Sequence, residues 1–199
     1  MIEKNKIIDI FEDSKALLNG HFVLTSGRHS DQYFQCAKVL QYPRYLKLFG
    51  QSIAAKFRSL KPNVVISPAI GGVVLSTQVG LELGIRSIFS ERKNGEMVIR
   101  RGFKIKSNEN VLIVEDVITT GGSLKEVMDL VSYYKANAIG IGILVDRSNQ
   151  KVKLHKNQFS LVSLDVKSYN EDEIPEILAK IPIKKPGSRY LKWKCKVIN

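Results

Sequence analysis

Residues 111–123 constrain what this chain can fold into more than any other stretch. Val111, Leu112, Ile113 and Val114 form a short, unbroken aliphatic run, which fits a strand buried on both faces of a parallel sheet. Two adjacent carboxylates, Glu115 and Asp116, follow where that strand is expected to end. Val117 and Ile118 lead into a turn of small and hydroxyl-bearing residues, Thr119, Thr120, Gly121, Gly122 and Ser123. Leu124, Val127, Met128, Leu130 and Val131 then recur at helical spacing. A strand, turn and helix in this order belong to an open α/β sheet, whose ligands bind beyond the carboxyl ends of the strands. The two glycines allow close backbone approach, and the N–H groups opening the helix favour a phosphate.

Two common phosphate sites are excluded. No Gly-Lys-Ser/Thr closes the turn, as a Walker A loop requires, and the G-x-G-x-x-G spacing of a dinucleotide site is missing. The paired acids narrow the choice further. Beside a phosphate cradle they repel a second phosphate, yet they can accept hydrogen bonds from vicinal hydroxyls or hold a divalent ion. A ribose phosphate satisfies both halves. An ordinary buried strand with a glycine turn would share the strand and the turn but has no use for the acid pair.

The rest of the chain extends the pattern. Val64–Ile66, Arg86–Glu91, Ala138–Val145 and Phe159–Leu164 read as further strands, with helices expected over 43–58, 72–83 and 123–135 and a short one over 175–180. This alternation predicts an α/β fold with a central, mostly parallel five-stranded sheet flanked by helices and right-handed crossovers. The 199 residues fit a single domain with its core at about 43–165. Residues 5–18 read as an amphipathic helix ended by Asn19 and Gly20, followed by extended segments at 21–24 and 32–35. These first forty residues and part of the C-terminal segment fall outside the alternation and are expected to form a small N-terminal hood.

Composition excludes several classes. No apolar run approaches the length of a membrane span, and no signal-peptide stretch opens the chain. Cys36 and Cys195 give no disulfide framework, and His21, His29 and His155 have no metal-ligand spacing. A cytoplasmic protein that is not a zinc enzyme is expected. The net charge of +12 suits anionic ligands. The tail at about 184–199, with Lys184, Lys185, Arg189, Lys192, Lys194 and Lys196, reads as a solvated basic segment. No nucleic-acid module accompanies it.

Three further segments bear on chemistry. Pro68, Ala69, Ile70, Gly71 and Gly72 follow the first sheet strand and open a helix, so their N–H groups suit a second anion, or make a plain tight turn. Residues 91–102 carry Arg92, Lys93, Arg100 and Arg101 between glycines, as a mobile lid over an anion or a solvated surface hairpin would. Residues 24–35 combine Thr25, Ser26, Gly27 and Arg28 with the aromatic pair Tyr33 and Phe34, which could sandwich a flat heterocycle or simply be hood core.

The 115–123 run resembles the 5-phosphoribosyl 1-pyrophosphate (PRPP) motif of the type I phosphoribosyltransferases. Thr25-Ser-Gly-Arg-His-Ser30, Pro68 to Gly72, Glu91-Arg92 with Arg100-Arg-Gly-Phe103, and Val145-Asp-Arg147 stand in the order seen in the orotate phosphoribosyltransferase family. The likeness spans about residue 6 to Arg189. It implies the type I phosphoribosyltransferase fold and transfer of phosphoribose from PRPP to orotate in pyrimidine (UMP) biosynthesis. Magnesium would be carried by PRPP, with no direct protein ligand, and the active sites would be shared in a homodimer. Neither nucleic acid nor membrane is expected as a partner. The resemblance puts Glu115, Asp116, Val117, Ile118, Thr119, Thr120, Gly121, Gly122, Ser123, Ile70, Gly71, Arg92 and Lys93 around PRPP. It puts Thr119, Arg147, Ser26, Gly27, Tyr33 and Phe34 around orotate, and makes Lys93, Arg92 and Asp116 catalytic.

Two positions depart from the better-known branch of the family: Thr25 replaces a lysine, and residues 91–103 contain no histidine. Lys93 is therefore the expected lid cation, with Arg92 and Arg100 behind it. Two rivals follow from the same residues. One is a transferase for a purine, which has no carboxylate for Arg147 to grip. The other is a PRPP-sensing regulator that binds nucleic acid through its basic surface.

Overall fold

A computed structural model describes residues 2–24, 27–164 and 167–184. In chain order the elements are α1 (Lys4–Asp13), β1 (Leu17–Val23), β2 (His29–Phe34), α2 (Cys36–Leu40), α3 (Pro43–Phe57), β3 (Val64–Pro68), α4 (Gly71–Leu83), β4 (Arg86–Lys93) and β5 (Glu96–Ile99). They continue with β6 (Asn110–Ile118), α5 (Gly122–Tyr133), β7 (Asn137–Asp146), β8 (Gln158–Ser163), α6 (Glu176–Ala179) and β9 (Ile183–Lys184). Among the described residues, 2–16 and 36–164 make one compact unit, and 17–24, 27–35 and 167–184 make a second.

The larger unit is built on a six-stranded sheet in the order β5-β4-β3-β6-β7-β8. Strands β4, β3, β6, β7 and β8 are mutually parallel, which bears out the expected parallel core. The sixth strand, β5, pairs antiparallel with β4 (Glu91↔Val98, Lys93↔Glu96) and corrects the count of five. Residues 91–99 are therefore a hairpin, turned at Asn94 and Gly95, both with positive φ. Met97 and Ile99 pack against the hydrophobic core, which explains why so polar a stretch pairs at all.

Val111 to Val114 are fully buried, as a central strand requires. On one face of the sheet, Ile113, Ile141 and Ile143 form a core with Leu124, Val127 and Val131 of α5. Each such side chain contributes roughly 1.5–3 kcal/mol on burial. Helix α3 begins at Pro43, and α4 ends at Gly84 in the left-handed region, both as read from the sequence.

Helix α1 ends five residues before the expected boundary. Lys15 adopts φ 51°, Ser14 Oγ donates to the Phe11 carbonyl, and the Ala16 N–H donates to the same oxygen. These bonds close the helix and release Leu17 and Leu18 into β1. The α1 residues group with the sheet, and the Phe11 ring packs on Phe49 of α3 at 5.9 Å.

The smaller unit is a three-stranded sheet, β2-β1-β9, in which β1 pairs antiparallel with β2 and parallel with β9. Arg28 holds residues 168–170: Nε donates to Ser168 Oγ at 2.9 Å, and the terminal nitrogens donate to Asn170 Oδ1 and the Ser168 carbonyl at 2.5 Å each. His21 Nε2 and His29 Nδ1 share a buried 2.7 Å hydrogen bond. Of the tail cations only Lys184 lies among the described residues.

Candidate active site

Strand β6 does not stop before the acid pair, as the sequence reading expected, but runs on through Ile118. Glu115 pairs in register with Ile143, and Val117 with Val145, so the sheet itself holds both carboxylates. Glu115 is only 7% exposed. Its Oε1 accepts the Asp116 N–H at 3.2 Å, and Asp116 Oδ1 accepts the Val117 N–H at 3.0 Å.

The Pro68–Gly72 loop lies directly against this pair. A Cβ on Gly71 would stand 2.5 Å from Asp116 Oδ2 and 2.7 Å from Oδ1. One on Gly72 would stand 3.2 Å from Glu115 Oε1. Only glycine leaves room for carboxylate and loop together. The Ala69–Ile70 peptide is cis, and Ile70 is exposed.

Beyond β6, Thr119 and Thr120 are exposed, and Gly121 takes φ 77° as it opens α5. Its Cβ position would lie 2.8 Å from Val152 Cγ1, so both backbone angle and space require glycine. The turn leaves the first N–H groups of α5 without helical partners, as an anion cradle needs. The Ile118 side chain is 2% exposed in the hydrophobic core, and its carbonyl accepts the Arg147 N–H at 2.9 Å. Only its backbone can border a ligand.

Arg147 immediately follows β7. The buried Asp146 before it accepts both the N–H and the hydroxyl of Ser148 through Oδ1, each at 2.7 Å. The Arg147 backbone is thus fixed on both sides.

Sequence reasoning missed Cys36. Its thiol, 3% exposed, donates to the Asp116 carbonyl at 3.8 Å. A lone cysteine carries no sequence signal of that contact, which only folding creates. Burial first, and then the charges of Asp116 and Glu115, push the thiol well above its usual range, so it is an inert neutral group.

The cations of residues 91–102 are differently engaged. Arg92 pairs with Glu126 of α5 at 2.7 Å and donates to the Gly95 carbonyl, while Arg100 and Arg101 both pair with Glu91. Lys93 makes no ion pair among the described residues. These are surface pairs worth about 1 kcal/mol or less each, weak enough to exchange for a ligand.

The base-pocket candidates fall in the smaller unit. Tyr33 and Phe34 are consecutive on β2 and so point to opposite faces, which corrects the idea that they sandwich one ring. Phe34 is buried, and Tyr33 packs on Phe22 at 5.6 Å. Gly27 has φ 81° and donates to the Leu24 carbonyl. Thr25 and Ser26 lie outside the described residues.

Electrostatics set the acid pair apart. Burial, followed by the neighbouring Asp116 charge, holds the Glu115 carboxyl well above its ordinary value of 4.5, and burial also raises Asp116. The folded protein therefore keeps a proton on Glu115 at pH values where the unfolded chain has lost it. Stability falls as pH rises from about 4.5 towards the raised folded value. Glu115→Gln removes that penalty. Thermal melts should show the variant more stable than the parent at neutral pH, with the gain closing as pH drops below 4.5.

With this geometry in place, the comparisons are informative. The phosphoribosyl transferase domain family matches residues 37–175. The chain is 57% identical over 185 residues to an orotate phosphoribosyltransferase of Chlorobium phaeobacteroides, covering 93% of this chain and 96% of that one. It is 50% identical over 188 residues to that of a Thermoanaerobacter species, covering 94% and 99%. The fold superposes on the crystal structure of orotate phosphoribosyltransferase from Aeropyrum pernix with a TM-score of 0.66 at 21% identity, covering 79% of this chain and 93% of that one. An acid pair held within a central strand and near-full-length identity of this order have one reading: the chain belongs to the orotate phosphoribosyltransferase family.

Proposed function

We propose that this protein transfers the 5-phosphoribosyl group of PRPP to orotate, giving orotidine 5-phosphate and pyrophosphate, with the reacting sugar held over the Glu115–Asp116 pair. The observation that supports the placement is how near the Pro68–Gly72 loop lies to Asp116: a Cβ on Gly71 would stand 2.5 Å from Asp116 Oδ2, so only glycine fits there. The turn at 119–123 opens a second helix soon after the same carboxylate pair, which supports a ligand with an anion at each end.

In this reading Asp116 and Glu115 accept hydrogen bonds from the ribose 2- and 3-hydroxyls. Thr119, Thr120, Gly121, Gly122 and Ser123 hold the 5-phosphate, with the Val117 backbone alongside. Ile70 and Gly71 hold the pyrophosphate. Breaking the C1–O bond places positive charge on the sugar, which the acid pair stabilises, and negative charge on the leaving group. Lys93 and Arg92 meet that negative charge when the hairpin closes, Arg92 exchanging Glu126 for the ligand. A preorganised donor of this kind contributes about 3 kcal/mol. Arg147 grips the orotate carboxylate, Thr119 borders the base, and orotate N1 bonds to C1 as pyrophosphate leaves, the N1 proton passing to the departing pyrophosphate.

Magnesium enters on PRPP. The ion would be held by PRPP oxygens, with no direct protein ligand. Carried by PRPP, it would neutralise pyrophosphate charge. The lid is expected to serve the partner subunit's site in a homodimer. Among the described residues no helix is long and apolar enough to cross a membrane, in keeping with an enzyme of the cytoplasm.

Substrate selectivity tests the reading. Purified protein with PRPP and magnesium should consume orotate, followed by its ultraviolet absorbance, and leave adenine, hypoxanthine and uracil untouched. Turnover of a purine in place of orotate would overturn the base assignment. Binding of PRPP coupled to RNA binding, without turnover of any base, would favour a regulator.

A further inference from the structure

Beneath the Pro68–Gly72 loop lies a set of buried serine hydroxyls that the reaction does not use. Ser67, Ser76 and Ser90 are all fully buried, in β3, α4 and β4. Ser76 Oγ donates to the Val73 carbonyl at 3.0 Å, which spends its only proton. The 2.9 Å contact between Ser67 Oγ and Ser76 Oγ is therefore donated by Ser67. Ser87 Oγ also donates to Ser76 Oγ, at 3.3 Å. Ser90 closes the set, its hydroxyl donating to the Ser67 carbonyl at 3.4 Å and its own carbonyl accepting the Ala69 N–H at 2.7 Å. Two hydroxyls thus converge on Ser76, which passes the polarity to Val73, in the first turn of α4.

An apolar side chain would fill these positions at less cost to a core. Hydroxyls there are useful if direction matters, because each bond fixes the loop or the helix start relative to the sheet. The network touches both ends of the loop, at Ser67–Ala69 and at Val73, and the Ser67 Cβ lies 3.0 Å from where a Cβ on Gly72 would stand. We propose that Ser76, with Ser67, is a positioning residue that aims the loop N–H groups at pyrophosphate. This rests on the reading of Pro68–Gly72 as the pyrophosphate loop.

The test is calorimetric titration of the full chain with magnesium pyrophosphate and, separately, with orotidine 5-phosphate, alongside thermal melts. Ser76→Ala leaves the Ser67 and Ser87 hydroxyls without their acceptor, while the Val73 carbonyl keeps its bond from Thr77 Oγ1, so pyrophosphate affinity should fall about tenfold. Orotidine 5-phosphate, which has no group for this loop, should bind as in the parent. Ser67→Ala should show the same split, and it keeps the test open if Ser76→Ala folds poorly. Equal loss for both ligands would make the network merely structural and overturn the proposal. So would unchanged pyrophosphate affinity in both serine variants while Gly71→Ala abolishes it. Unchanged pyrophosphate affinity in Gly71→Ala would instead overturn the loop assignment itself.

Discussion

Gly71→Ala is expected to lower kcat/KM for PRPP by roughly a hundredfold while leaving the protein folded, because a misplacement of about 1 Å at a reacting centre costs that much. The added methyl would fall 2.5–2.8 Å from three atoms of the Asp116 carboxyl group, and ordinary contact begins near 3.4 Å. Either the carboxylate or the loop must therefore move by a large fraction of an ångström. Stability pulls the other way. Gly71 opens α4, and alanine favours a helix over glycine by about 1 kcal/mol. That gain offsets part of the steric cost, so the melting temperature should stay within a few degrees of the parent. Steady-state kinetics and a thermal melt on one preparation separate the two effects. Near-parental activity would mean that Asp116 is not needed where the sheet holds it.

Arg147→Ala should have an effect of similar size on the other substrate. Truncating one partner of a hydrogen-bonded charge pair costs about 2–5 kcal/mol, and the half-buried setting of Arg147 favours the lower end of that range. Use of orotate should fall by at least about thirtyfold, judged as kcat/KM. Binding of PRPP should persist, since Arg147 lies apart in role from both anion turns. Arg147→Lys should not rescue the loss, because a point charge cannot reproduce a bidentate fork. The backbone bonds that fix this residue, to Ile118 and through Asp146 to Ser148, do not involve its side chain. The variant should accordingly fold. Unchanged orotate kinetics would leave the substrate carboxylate without its assigned partner and reopen the purine alternative.

The sheet and the acid-bearing strand β6 are legible because their signals are local. A continuous aliphatic run can only be buried on both faces, and the acids and glycines after it are sequence neighbours. Helix α1 was misjudged at its end because Leu17 and Leu18 suit a helix and a strand equally. The deciding feature, Lys15 in a left-handed conformation, has no strong residue preference behind it. Strand β5 was hidden for a related reason: Glu96–Ile99 is short, borders a charged turn and finds its register only against β4.

Parts of the site were invisible on different grounds. Asp116 lies against Gly71 and Cys36 across gaps of 45 and 80 residues, so that proximity exists only once α4, α2 and β6 converge. The serine network is likewise made of common residues whose hydroxyls matter only when dry. Two consecutive aromatics, Tyr33 and Phe34, looked like a clamp because a list of neighbours does not show the two-residue period of a strand. Arg92 could be assigned to the lid from sequence, but its present engagement with Glu126, an exchangeable surface pair, could not.

The most direct measurement is a crystal structure of the protein with PRPP and magnesium. The expected result has the ribose hydroxyls on Glu115 and Asp116, the 5-phosphate on the backbone of residues 119–123, and the pyrophosphate on Ile70 and Gly71. A ribose lying away from the acid pair, or the two phosphate ends exchanged between the turns, would contradict the assignment on which every step of the mechanism depends.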